Sequence, residues 1–256
     1  MSKRAVIRTL LALVIVAGLA AAVGGVIWWN RDHSVEPPAA APTTLGPLPE
    51  PAAPGSGTGL RHEFRTYPKA AILADTLAMG YVGAGRSWAE LTAANMCWSL
   101  SAKSVELETG YTNPGGRPDT SAFTERADDV AKEDPAIVVV QGGLHDYRAT
   151  PEKLQEAARN TFTTLKEQLP PESMVVALGP LVGDAASPED VARVSGPIAA
   201  AAQETGVIFL DPMAERWLPD MNYFSRDGLL PNDRGQIEYA NRLTAALRAL
   251  GAPAGC

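Results

Sequence analysis

Residues able to move a proton or attack a carbonyl cluster at a few points of this chain. Asp75 and Thr76 close the apolar run Ala70–Ala74, His145 and Asp146 follow the apolar run Ala136–Val140, and Asp227 precedes the last amphipathic segment. A threonine hydroxyl is a weak nucleophile until an adjacent base takes its proton. Downstream of residue 66 the chain holds one imidazole, His145, so an intramolecular imidazole base for Thr76 must be that residue. The plainer role for His145 is local hydrogen bonding, and for Asp75, Asp146 and Asp227 it is capping of loops. One histidine with scattered carboxylates makes no transition-metal site. Gly80, Gly83 and Gly85 lack the spacing and the acidic partner of a dinucleotide fingerprint. No cofactor is expected.

The elements that must position these residues alternate between strand and helix. Short buried strands are expected at Ala70–Ala74, Lys103–Leu107, Ala136–Val140, Met174–Leu178 and Val207–Leu210. Helices are expected at Ser87–Leu100, with Trp88, Leu91, Met96 and Trp98 as its large apolar residues, and at Phe123–Lys132. Two more open on Thr150-Pro151 and Ser187-Pro188, reaching Gln168 and about Thr205. The last spans about Gly235–Leu250, with Ile237, Ala240, Leu243, Ala246 and Leu247 on its apolar face. Alternation of this kind predicts an α/β fold, a parallel sheet covered on both faces in three α/β/α layers. Asp75 and Thr76 then stand at the carboxyl end of a strand, where open α/β sheets place their sites.

Upstream of this domain (67–256) lie two different segments. Residues 1–30 carry Lys3, Arg4 and Arg8 and then an uncharged run from Thr9 to Trp29, about long enough to cross a ~30 Å hydrocarbon core. The positive-inside bias puts the rest of the chain outside the cytoplasm. A cleaved signal peptide ending near Ala20–Ala22 is the other reading, and it also exports the chain. Residues 31–66, rich in Pro, Ala and Gly, bury too little apolar surface to order and read as a tether. His33 and His62 fall in that stretch. The net charge of −7 argues against nucleic acid as a partner; the membrane, through the N-terminal helix, is the partner expected. The excess of Arg over Lys, with abundant Ala, Gly and Pro, fits a GC-rich coding bias.

Ala74-Asp75-Thr76, Gly143-Leu-His145-Asp146 and Asp227-Gly-Leu-Leu230, in that order, resemble the blocks of the SGNH (GDSL-type) hydrolases, and the likeness extends to an exported, actinobacterial-type member. It implies an SGNH-hydrolase-like, flavodoxin-like fold and ester chemistry. In that family the first block ends Gly-Asp-Ser, the third supplies an oxyanion Asn, and the fifth supplies Asp and His. Thr76 thus replaces the nucleophile, His145 the Asn and Leu230 the base, while Asp75, Gly143, Asp146 and Asp227 remain. The second block, source of an oxyanion glycine, falls within Glu106–Gly116; Gly110 is the candidate glycine and Glu108 the rival for that position. Losing a triad base typically removes on the order of 10⁶ in rate. The leading expectation is therefore a catalytically degenerate domain that binds an envelope glycan, acyl group or protein partner. The alternative is an atypical esterase or acyltransferase working through Thr76 and His145 on O-acyl esters of envelope carbohydrate or lipid.

Tyr111, Tyr147 and Tyr223 sit in loops near the expected cleft, either as rim residues or as walls for a sugar or acyl chain. Cys97 and Cys256 form no metal-binding spacing. In an oxidising compartment they either bridge, closing a very long loop, or Cys97 stays a buried thiol.

Overall fold

The computed structural model describes residues 66–80, 85–183 and 186–256. The expected anchor (1–30) and all but the last residue of the tether lie outside the described residues. Among those described, no helix is long and apolar enough to cross a membrane.

Five parallel strands form one sheet: β1 (Lys69–Ala74), β2 (Ser99–Val105), β3 (Ile137–Gln141), β4 (Met174–Leu178) and β5 (Ile208–Leu210), in the order β2-β1-β3-β4-β5. The central strands β1 and β3 are apolar from Ala70 to Ala74 and from Ile137 to Val140 because helices cover both of their faces. Side-chain alternation splits the core in two. Ala70, Ile72, Ile137, Val139 and Val176 pack under α1 (Trp88–Asn95) and α5 (Asp233–Ala249). Ala71, Leu73, Val138, Val140 and Val175 pack under α2 (Phe123–Ala131), α3 (Pro151–Gln168) and α4 (Pro188–Thr205). This is the three-layer α/β/α arrangement read from the sequence.

Caps fix where the helices begin. Ser87 and Glu90 form a capping box on α1, Thr150 caps α3 ahead of Pro151, Ser187 caps α4 and Asn232 caps α5. The helix expected over Ser87–Leu100 is shorter than its apolar pattern. It stops at Asn95, Cys97 turns into the left-handed region (φ +50°), and the Trp98 N–H closes on the Ala93 carbonyl at 2.9 Å. β2 accordingly begins at Ser99, ahead of the expected Lys103. Ile237, placed on the apolar face of α5 by spacing, is 52% exposed; the buried stripe runs through Gln236, Tyr239, Ala240, Leu243 and Leu247.

Cys97 and Cys256 are joined in a disulfide, with Cα atoms 5.6 Å apart. The C-terminal tail is strapped to the end of α1: Gly255 N–H donates to the Met96 carbonyl (2.9 Å) and Trp98 Nε1 to that of Pro253 (2.6 Å).

Candidate active site

The sheet changes winding direction between β1 and β3, and the loops that leave β1, β2 and β3 meet at their carboxyl ends. Asp75 and Thr76 come from the first, Glu106–Gly116 from the second and Gly142–Asp146 from the third. A 3₁₀ turn over Thr76–Met79 follows β1, and Asp75 caps it by accepting the Leu77 N–H at 2.9 Å.

At this junction Thr76 Oγ1 lies 3.2 Å from His145 Nε2 and accepts the backbone N–H of Glu108 at 2.8 Å. With the ring proton on Nδ1, Nε2 is free to accept the threonine proton while the Glu108 amide holds the same oxygen. Burial keeps the imidazole below its ordinary pKa of 6.5, with Glu108 and then Asp146 pulling the other way; the neutral, accepting form therefore predominates at neutral pH. The expected pair is brought together, and what holds it is a side chain the sequence reading passed over. Asn113 Nδ2 donates to the Glu108 carbonyl (2.9 Å) and to the His145 carbonyl (3.2 Å), tying the two loops to each other. An Asn inside a turn-rich stretch was the available signal.

Glu108, not Gly110, turns its N–H to Thr76. Glu108 adopts φ +58°, a left-handed conformation that favours glycine. Gly110 serves the layer beneath: a Cβ there would run into the Asp146 carboxylate. That carboxylate is buried and accepts from Tyr111 N (3.0 Å), Thr112 N (2.7 Å) and Thr112 Oγ1 (2.6 Å). Asp146 thus shapes the β2 loop from below and does not face the cleft.

Asp75 is fully buried, and desolvation pushes its carboxyl up to about 7; the Leu77 amide opposes the rise, Asp146 adds to it and Arg126 opposes it. The Gln141 amide faces it; turned so that its nitrogen donates to Asp75 Oδ1 (3.0 Å), its oxygen accepts the Gly142 N–H (3.3 Å). Arg126, also absent from the sequence reading, is buried beneath the site. Its guanidinium donates to Thr109 Oγ1 (2.9 Å) and the Ser104 carbonyl (3.0 Å). An arginine sharing the helical face of Phe123, Ala127 and Val130 was the clue.

Asp227 and Leu230 stand apart from this pair. The Asp227 carboxylate accepts from Ser225 Oγ (2.6 Å) and Leu229 N (3.1 Å), bonds that hold it below the usual carboxylate range, the serine first. Leu230 packs on the apolar cluster shared by β1, α1 and α5. Its neighbour Leu229 is the one that reaches the cleft.

Two clefts open on His145. One, of about 490 Å³, is walled mainly by Leu144, Tyr147, Val182, Ala186 and Leu229, with Asp190 and Arg193 as its charged members. The other, of about 380 Å³, is walled by Thr112, Asn113, Arg148, Ala149, Thr150 and Lys153. Of the three loop tyrosines, only Tyr147 lines a cleft. Tyr111 is buried against Phe123 and Phe162, and Tyr223 stacks under Arg234. Among the described residues no three His, Cys, Asp or Glu side chains are grouped to hold a metal.

Comparison with known proteins gives a consistent result. Residues 72–236 match the model of the GDSL-like lipase/acylhydrolase family. A GDSL lipase of Mycobacterium tuberculosis is 28% identical over 209 residues, 75% of this chain and 87% of that one. Among solved structures, a lipase/acylhydrolase from Enterococcus faecalis superposes with a TM-score of 0.57 at 12% identity, over 72% of this chain and 96% of that one. A carbohydrate acetylesterase from Sinorhizobium meliloti superposes with a TM-score of 0.54 at 15% identity, over 72% of this chain and all (100%) of that one.

Proposed function

Because this chain belongs to the GDSL-like lipase/acylhydrolase family, we propose that it is an atypical acyl esterase or acyltransferase, working through a Thr76–His145 dyad in place of the family's triad. The 3.2 Å approach of Thr76 Oγ1 to His145 Nε2 carries this reading. Thr76 Oγ1 attacks the ester carbonyl carbon as His145 Nε2 takes its proton. The Glu108 N–H donates to Oγ1 in the resting pair; once Oγ1 bonds to the carbonyl carbon, that N–H is released to turn to the oxyanion formed beside it. Collapse of the tetrahedral intermediate breaks the bond to the alcohol oxygen, which leaves with the proton returned by the imidazolium. Water, or an acceptor alcohol, then attacks the acyl-threonine with His145 again as base, and the bond from the acyl carbon to Oγ1 breaks as the imidazolium returns the proton to Thr76.

No carboxylate is hydrogen-bonded to His145 among the described residues. A triad whose acid no longer orients the histidine loses about 10⁴ in kcat, so slow turnover is expected. The charged N-terminus followed by a long apolar run supports placing the domain outside the cytoplasmic membrane, tethered by residues 31–66, with O-acyl esters of envelope carbohydrate or lipid as substrates.

A second reading, a degenerate domain that binds its ligand without turning it over, is favoured by Leu230, which packs an alkyl side chain where the family keeps its base. One experiment separates the two. Ester hydrolysis is followed for wild type, Thr76→Ala, His145→Ala and Thr76→Ser/Leu230→His across acetyl to long-chain substrates. Activity lost in both alanine variants supports the dyad; a silent wild type beside an active double variant supports binding alone.

A further inference from the structure

The two clefts that meet at His145 have opposite chemistry. The larger is walled mainly by Leu144, Tyr147, Val182, Ala186 and Leu229, with Asp190 and Arg193 as its charged members. The smaller presents Arg148 and Lys153 beside the hydroxyl or amide groups of Thr112, Asn113 and Thr150, and no carboxylate among the described residues lines it, although Glu152 hydrogen-bonds the Thr150 side chain. That is a local reversal in a chain of net charge −7. Neither Arg148 nor Lys153 is in an ion pair among the described residues. The nearby Glu108 lines neither cleft; its Oε2 sits about 3.7 Å from where a Cβ on Gly116 would stand.

Arg148 is also held in place. Its guanidinium stacks 5.4 Å over the Tyr147 ring, whose residue walls the apolar cleft. From α4, Arg193 clamps the backbone on either side, donating to the Tyr147 carbonyl (2.5 Å) and the Ala149 carbonyl (3.3 Å). A cation whose loop is fixed before binding loses less entropy when an anion arrives.

We propose that the site takes an acyl ester whose alcohol portion carries an anion of phosphate type, the acyl chain lying in the apolar cleft and the anion on Arg148 and Lys153. This deepens the esterase reading and rests on it for the ester bond, whereas the pairing of an apolar arm with a cationic arm is a property of binding alone. Two cations meeting one phosphate form charge-assisted hydrogen bonds, stronger than those between neutral groups.

The test uses the full chain in nonionic detergent and calorimetric titration with hexyl phosphate, 1-hexanol and inorganic phosphate. Hexyl phosphate is expected to bind about tenfold or more tightly than hexanol, and more tightly than inorganic phosphate. In R148Q/K153Q the preference for hexyl phosphate over hexanol disappears. Equal binding of hexyl phosphate and hexanol, or a preference that survives in the double variant, overturns the proposal. So does inorganic phosphate binding as tightly as hexyl phosphate, since the apolar arm then contributes nothing. Thr76→Ala separates this inference from the catalytic one: if no ester is turned over by wild type yet both proteins show the phosphate preference, the dyad falls and the cationic arm stands.

Discussion

Gly110 and Asp146 are packed so closely that the glycine's missing side chain is what lets the buried carboxylate reach the next two backbone amides. The contact joins the β2 loop, which carries Glu108, to the β3 loop, which carries His145. The geometry of the Thr76 hydroxyl thus depends on a residue that never touches it.

Gly110→Ala should be costly for that reason. Its methyl must displace the Asp146 carboxylate, combining overpacking with the loss of charge-assisted hydrogen bonds, about 2–4 kcal/mol together. Urea denaturation should show a lowered midpoint. Any ester hydrolysis should fall further than the stability loss explains, because Glu108 N–H moves with the loop.

The buried Asp75 makes a pH prediction. Its carboxyl is raised from 3.8 to about 7 in the fold, so between roughly pH 4 and 7 the folded chain binds a proton that the unfolded chain has released. Stability from this group is therefore fully present below about pH 4 and lost as pH rises to 7, a span of up to about 4 kcal/mol. Asp75→Asn keeps an acceptor for Leu77 N–H and removes the titration. Relative to wild type it should gain stability at pH 8 and show no gain at pH 4, measured by urea melts at both values.

These two carboxylates also mark how far the sequence could be read. β1, β3 and β4 were legible because a buried parallel strand is a plain apolar run, and the switch point beside β1 followed from their order. The end of α1 was not, since Met96 and Trp98 continue its apolar pattern while Cys97 takes a positive φ that composition does not announce. Spacing put Ile237 on the buried face of α5, but packing rotated it outward. At the site, Thr76 and His145 were legible as the available nucleophile and base. The amide that reaches Thr76 was legible only as the rival reading, because a glycine is the natural guess for a left-handed position and Glu108 occupies it here. Buried Arg126 and bridging Asn113 had only faint local signals, a helical face and a turn-rich stretch, because what they do depends on contacts between segments distant in sequence.

The proposed base should show itself in a pH–rate profile. Burial lowers the His145 pKa, so the acylation rate should rise with pH to a midpoint below 6.5 and then stay level through neutrality. Glu108→Gln removes the charge that favours the imidazolium and should move that midpoint lower still, leaving the backbone N–H to Thr76 in place. A midpoint unmoved by this change, in an active variant, would remove Glu108 from the electrostatics of the dyad.

The disulfide is the last lever on the fold. Cys97 and Cys256 lie 159 residues apart in sequence, so their bond closes everything from the end of α1 onward into one loop. In the chain-entropy account a closure of that length stabilises by about 5 kcal/mol, almost all through the unfolded ensemble. Cys97→Ser/Cys256→Ser should therefore lower Tm by many degrees, and reduction of the wild type should do the same. The site lies at the carboxyl ends of the strands, whereas Cys97 precedes β2 at its amino end, and the Trp98–Pro253 and Met96–Gly255 hydrogen bonds remain to dock the tail. Ester hydrolysis or hexyl phosphate binding at 25 °C should consequently be unchanged while the melt shifts. A loss of site function at a temperature where the reduced protein is still folded would instead mean that the tail strap is coupled to the β1 and β3 loops through the sheet.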